Sequence, residues 1–275
     1  MWLLTLWLAF LPNTAPPAVL SGRPRPTSMA APWLAAGPAE PKSPQQLRFE
    51  LGTKTTNYWH ASASQVLNIE LVAKRLNGVE VLPGRVFNYY RVVGPYTQEN
   101  GYGWGRGFVG DRIVPSVGGG VCQGASTLYA AILRTGLKVI ERHQHGLTVP
   151  YLPPGEDATV AGDYLNFQFQ NTRTTPIMIT AQADQRLFTI SIWGASPGPS
   201  ITVHHRILER YPFRTLIQVN PNLKSGEEKV LTPGQEGVLV HTWLEVVTPQ
   251  GIERRDLGND RYRPSPRIVQ RSSLS

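Results

Sequence analysis

Val117-Gly118-Gly119-Gly120-Val121-Cys122-Gln123-Gly124-Ala125-Ser126-Thr127-Leu128-Tyr129 is the stretch on which the reading of this chain turns. Downstream of its glycines, Ala125, Leu128, Tyr129, Ile132 and Leu133 recur at i, i+3, i+4, i+7, i+8 spacing, which predicts a core-facing helix over about residues 123–135, stopped by Gly136. A second helix is predicted over 64–76, with Val66, Ile69, Val72, Ala73 and Leu76 toward one face, Ser62 or Ser64 as cap and Asn77-Gly78 as the stop. Short runs of β-forming residues surround these helices at 84–93, 112–115, 137–143, 164–171, 176–183 and 187–193. The expected fold is therefore α+β: a mainly antiparallel sheet with two core helices over residues 47–194. A small β-rich C-terminal extension over 195–275 follows, with strands near 201–219, 237–247 and 252–257 and turn signals at Thr232-Pro233-Gly234 and Pro249-Gln250-Gly251.

The ends of the chain have a different character. Met1 to Leu11 is apolar except for Thr5, which is too short for the ~20 residues of a bilayer span and fits the apolar core of a secretory signal. Residues 1–21 are accordingly expected to be a signal peptide or apolar N-terminal segment, and 22–46, with Pro24, Pro26, Pro32, Pro38, Pro41 and Pro44, an extended Pro/Ala-rich linker.

Composition narrows the function classes. The 275 residues carry 27 Lys+Arg against 19 Asp+Glu, a net charge of +8 that favours an anionic partner. With 1 Cys there is neither an internal disulfide nor a Cys-built zinc site. No basic-aromatic nucleic-acid module and no phosphate-binding glycine loop opens a helix, so a nucleic acid is not the expected partner.

The lone thiol falls at the first turn of a helix, behind three glycines. Unpaired amides and the helix dipole favour an anion there, so the Cys122 thiol is expected to ionise readily and to act as a nucleophile in acyl transfer. The amides of Gly118, Gly119, Gly120 and Gln123 are candidates to receive the developing oxyanion. The competing reading makes Cys122 a buried small hydrophobe. A base is offered by Arg142-His143-Gln144-His145, roughly twenty residues downstream; on an extended chain His143 and His145 share one face, and Asp157 or Asp163 is available to orient the imidazole. His-x-His is alternatively half of a metal site, with no third ligand evident nearby. His204-His205 reads as a solvated strand face. Tyr102, Trp104 and Phe108, interleaved with glycines, read as a groove-lining loop or a plain β turn.

These residues resemble a known family. LNGVEVLPGRVF with RVVGP, then VPSVGGGVCQGASTLY, then GLKVIERHQHGLTVPYLPPGEDATV and DYLNFQFQNTRTTPIMI are similar, in order, to the VanW domain of vancomycin B-type resistance proteins. The resemblance implies an extracytoplasmic bacterial protein acting on peptidoglycan, L,D-transpeptidase-like, with Cys122 as the nucleophile and His143 and His145 as the family's His-x-His. Peptidoglycan stem peptides or the anionic wall are the expected partner, with Arg142 and Asp157 on the substrate side; no cofactor is expected, and membrane association only through the N-terminal segment. The alternative is a non-catalytic wall-binding or resistance-accessory protein. One departure stands out: Gly124-Ala125 follows Cys-Gln where the family has an aliphatic residue and then Ser or Thr.

Overall fold

The computed structural model describes residues 47–109 and 112–272. The expected apolar segment 1–21 and linker 22–46 lie outside the described residues. The chain is broadly α+β and mainly β.

Strands β1 (Phe49–Asn57), β2 (Val79–Val81), β8 (Ile177–Asp184) and β9 (Leu187–Gly194) form an antiparallel sheet in the order β1-β9-β8-β2. Helices α1 (Ala63–Leu76) and α3 (Val121–Ile132) pack on it. Alternation along the strands turns Phe188, Ile190 and Ile192 of β9 and Ile177 and Ile179 of β8 into one core with Ile69, Val72 and Leu76 of α1 and Leu128 and Ile132 of α3. Truncating Leu128 or Ile132, both fully buried, to Ala would cost about 2–5 kcal/mol.

The helix starts explain themselves locally. Ser62 is the cap of α1: its hydroxyl accepts the Gln65 amide at 3.3 Å while the Gln65 side chain accepts the Ser62 amide at 3.2 Å. Val121 opens α3 directly after Gly120. Expected to be amphipathic, α3 is instead buried at every residue except Cys122. The sheet covers one side, and the segment running through Tyr151 and Ala158 covers the other; the Ser126 hydroxyl bonds both the carbonyl and the amide of Ala158, at 2.9 and 3.0 Å.

Other differences are short-range. The stretch expected as one strand over 84–93 is β3 (Val86–Asn88) running into the short helix α2 (Tyr89–Val93), because the Asn88 side chain caps the turn by accepting the Arg91 amide at 3.0 Å. The aromatic-glycine stretch forms β4 (Trp104–Val109), paired antiparallel with β5 (Arg112–Val117). β6 (Lys138–Glu141) and β7 (Gln168–Gln170) join β3 in a small antiparallel sheet in the order β3-β7-β6.

The C-terminal part is made of strands. β10 (Ser200–Tyr211), β13 (Gly237–Thr248) and β14 (Gly251–Tyr262) form one antiparallel sheet. β11 (Thr215–Val219), β15 (Ser265–Arg271) and β12 (Glu228–Gln235) form another, with β11 and β15 parallel. The run expected as a single strand over 201–219 is thus two strands in different sheets. Leu244 and Val246 of β13 are buried in the same core as the helices, so the extension is packed onto the first domain.

An ion cluster seals that contact. Glu156, 2% exposed, meets Arg134 at 2.7 Å, Lys54 at 3.1 Å and His205 of β10 at 3.0 Å. Burial opposes its charge, but His205, Arg134 and Lys54 overcome that and hold its carboxyl at about 2, against an ordinary value of 4.5. A carboxylate depressed on folding contributes stability that is full above its unfolded value and is lost as pH falls through the folded one. Acid titration of thermal stability should show this loss between pH 4.5 and about 2. Glu156→Gln leaves the Arg134 and Lys54 charges uncompensated and is expected to lower the unfolding free energy by about 3–5 kcal/mol at neutral pH, read by chemical denaturation.

Candidate active site

The three glycines ahead of Cys122 are required for separate reasons. Gly118 and Gly120 have φ of 81° and 106°, in the left-handed region that residues with a Cβ avoid. Gly119 lies against the backbone of Gly105, where a Cβ would come within 2.5 Å of the carbonyl carbon. The buried side chain of Asn68 on α1 fastens the loop, donating to the carbonyls of Gly119 at 2.8 Å and Gly103 at 3.0 Å and accepting the Gly103 amide at 2.8 Å. The backbone then enters α3 with Cys122 as its second residue.

The single residue of α3 that escapes burial is the thiol-bearing one. Cys122 opens onto a cleft of about 410 Å³ lined by Tyr96, Arg106, Ser116, Tyr151 and Tyr164 among others. Its Sγ lies 3.4 Å from the Val160 carbonyl oxygen and 3.7 Å from the Thr159 hydroxyl. Beyond burial, His145 is the group that bears most on the ionisation of this thiol.

His145 is fully enclosed, and its Nδ1 is 2.6 Å from Asp157 Oδ2. The same oxygen accepts the His145 amide at 2.8 Å. With Nδ1 turned to the carboxylate, Nε2 is the nitrogen available to the thiol. Burial opposes a charge on His145, but the Asp157 hydrogen bond and the thiol raise it from 6.5 to about 9. Burial would likewise push the Cys122 thiol up; the hydrogen bond and charge of His145 reverse that and bring it below its ordinary value. The arrangement sets a thiol, an imidazole and a carboxylate in the order a cysteine nucleophile needs.

Residues 64–193 match the family model described as VanW like protein, and residues 203–271 match the G5 domain model. These two stretches are thus similar, in chain order, to a VanW-like domain and a G5 domain. It is 39% identical over 133 residues to the uncharacterized protein YoaR of Bacillus subtilis, covering 48% of this chain and 44% of that protein. It is 30% identical over 115 residues to the vancomycin B-type resistance protein VanW of Enterococcus faecalis, covering 39% of this chain and 41% of that one. The chain thus spans under half the length of these relatives. Among solved structures, an IgA1 protease G5 domain is 24% identical with a TM-score of 0.19, covering 28% of this chain and 94% of that structure.

Within the VanW domain the expected residues part company. His143 and His145 do not share a face, because the chain leaves strand β6 at Glu141. The His143 ring turns outward and bonds Glu141 at 3.0 Å with 40% of its side chain exposed, whereas His145 turns in. This divergence separates them as a metal-ligand pair and leaves His145 as the partner of the thiol. Arg142, expected to face substrate, is instead spent inside the protein: it donates to the Asp157 carbonyl at 2.7 Å, to Asp157 Oδ1 at 3.2 Å and to both Asp260 oxygens at 2.7 Å, with its guanidinium 5.0 Å over the Tyr129 ring. Asp157, expected on the substrate side or as orienter, is buried behind His145; Asp163, the other orienting candidate, is exposed.

The loop amides divide as well. Those of Gly118, Val121 and Gln123 are bonded to Gly103, Gly118 and Gly120 carbonyls at 3.0 Å each. The Gln123 side chain donates to Thr56 and Asn57 of β1, at 3.0 and 2.9 Å, and so anchors the helix. His204 and His205 point to opposite sides of β10. His204 stacks on Trp243 with ring centroids 5.2 Å apart, while His205 turns in to Glu156.

Sequence reasoning missed Ser126, Thr159, Asp260 and Tyr262. Ser126 was legible as the i+4 neighbour of Cys122 on one helix face. The Tyr262 hydroxyl donates to Asp157 Oδ1 and accepts the Gly155 amide at 2.8 Å, a contact between residues more than a hundred positions apart that no local pattern announces.

The thiol is expected to react as a thiolate at neutral pH. The alkylation rate of Cys122 by iodoacetamide, followed against pH, should reach its midpoint below the ordinary ~8.5 of a free cysteine; Asp157→Asn, by weakening the imidazolium, should move that midpoint upward by about one unit.

Proposed function

We propose that the chain is an extracytoplasmic, cell-wall-associated protein whose VanW domain transfers acyl groups on peptidoglycan stem peptides through Cys122. The observation that carries the proposal is a thiol, Cys122, opening onto a cleft and influenced by a buried imidazole, His145, that is itself hydrogen-bonded to Asp157 at 2.6 Å. Families support the setting: the matched relative is named for vancomycin resistance, and G5 domains are associated with cell-wall components.

The chemistry follows from the geometry. The Cys122 thiolate attacks the carbonyl carbon of the scissile amide, and the carbonyl oxygen becomes an oxyanion. Since the Gly118, Val121 and Gln123 amides are engaged within the loop, its receivers are the amides of Gly119, Gly120 or Cys122 itself. As the carbon–nitrogen bond breaks, the imidazolium of His145 delivers its Nε2 proton to the leaving amine of the terminal residue, and a thioester remains on sulfur. Neutral His145 then takes a proton from the incoming acceptor amine or water, whose attack expels the thiolate and restores the ion pair. Asp157 holds the ring in the tautomer that presents Nε2.

Incubating the full-length protein with defined tetrapeptide muropeptides and reading products by mass spectrometry tests this. Wild type should yield cross-linked or trimmed products with loss of the terminal residue. Cys122→Ala should yield none, and His145→Gln should be reduced by at least ~10²-fold. Equal products from Cys122→Ala and wild type would overturn the proposal. Sacculus binding without any product would favour the wall-binding reading that the G5 domain supports by itself.

A further inference from the structure

The carboxylate that orients His145 is held from the other domain. Asp260 and Tyr262 are two apart on β14 and so face the same way, toward the VanW domain. Asp260 holds the Arg142 guanidinium through both its oxygens, at 2.7 Å, and Arg142 in turn holds Asp157. The Tyr262 phenol, fully buried, donates to Asp157 Oδ1 directly.

The loops that carry His145 and Asp157 are fastened to the same region. Gln144 Nε2 donates to the Arg261 carbonyl at 3.0 Å, and the Arg263 amide donates to the Gly146 carbonyl at 2.7 Å, on either side of His145. Gly155 donates its amide to Tyr262 at 2.8 Å, and Glu156 bonds His205 at 3.0 Å, immediately ahead of Asp157. Gly155 has φ of 97°, and a Cβ there would run into the Thr242 hydroxyl, so that loop is shaped to admit the G5 sheet. Cys122, by contrast, sits on α3 within the VanW core.

We infer that Tyr262 and Asp260 of the G5 domain are positioning residues for the VanW site, which makes the two domains a single reactive unit. The inference rests on the reading of Cys122 as a nucleophile. Its physical basis is geometric. Asp157 offers Oδ2 to His145 and Oδ1 to Tyr262 and Arg142, so donors on both sides fix the rotation of the carboxylate plane. Without the phenol, Oδ1 keeps only the 3.2 Å contact to Arg142, and the carboxylate can turn away from the ring. An imidazolium held less firmly stabilises the thiolate less. The titratable groups that bear on this pair and on the thiol are Arg142, Asp260, Tyr262, Tyr129 beneath Arg142, and Tyr89, Tyr96 and Tyr151 around Cys122.

The test is the pH dependence of Cys122 alkylation by iodoacetamide in the full-length chain, with thermal melting of each protein alongside. Tyr262→Phe and Asp260→Asn should both melt cooperatively while their alkylation midpoints rise by about half to one unit, equivalent to a roughly three- to tenfold slower reaction at pH 6.5. A role in domain docking alone would lower the melting temperature and leave the midpoint at the wild-type value. A folded Tyr262→Phe or Asp260→Asn with the wild-type midpoint overturns the inference; if one variant fails to fold, the other decides. A wild-type midpoint already in the ordinary thiol range would instead contradict the nucleophile reading, and the inference would fall with it.

Discussion

Asp157 is an ionised carboxylate with no exposure to solvent, and removing such a group from water costs several kcal/mol unless its charge and lone pairs are met. Here they are met by the amide and ring of His145, by Arg142 and by Tyr262. Burial pushes its carboxyl up, but His145 and Arg142 more than reverse this and keep it below the ordinary value. Each of those partners is thereby constrained. His145 is fixed in ring orientation and in charge, Arg142 is drawn inward and away from the cleft, and β14 must dock with its Tyr262 in place. The lowering of the Cys122 thiol by His145 is a downstream result of the same constraint.

The division of labour between domains follows from topology. The nucleophile stands on a helix that the first domain's sheet buries, so its position depends on local packing around Gly118 to Gly120 and Asn68. The imidazole and the carboxylate stand on irregular segments after β6, which carry few ladder hydrogen bonds of their own. Those segments acquire their order from contacts with β10 and β14. Irregular loops of this kind are commonly held by a rigid scaffold; here part of the scaffold comes from the second domain.

What was legible in the sequence was whatever had a local cause. The periodicity after Cys122 marked a helix, and the glycines marked a loop whose φ angles and close approach to Gly105 do need glycine. Strand β1 went unread because Phe49–Asn57, with its Gly52 and several threonines, has little apolar alternation; Gly52 is there because a Cβ would meet α3 at the Ala131 carbonyl. The pairing of His145 rather than His143 with the thiol was not legible, since it depends on the chain leaving strand geometry after Glu141. Arg142 looked like a substrate ligand because its carboxylate partner Asp260 is far away in sequence. The departure at Gly124 also has a spatial reason: a Cβ there would strike the Tyr89 hydroxyl, which donates to the Val121 carbonyl at 2.9 Å. Tyr89 fills the volume that an aliphatic residue would take.

Asp157 holds His145 as an imidazolium against its burial, and the imidazole nitrogen shifts of His145 in the full chain report that charge directly. Titration by ¹⁵N nuclear magnetic resonance should find the ring protonated at neutral pH and losing its proton near pH 9, with the Nδ1 proton held toward the carboxylate. A His145 that is neutral at pH 7, titrating at or below the ~6.5 of a free imidazole, would mean that burial outweighs Asp157 and that the thiol has no imidazolium beside it.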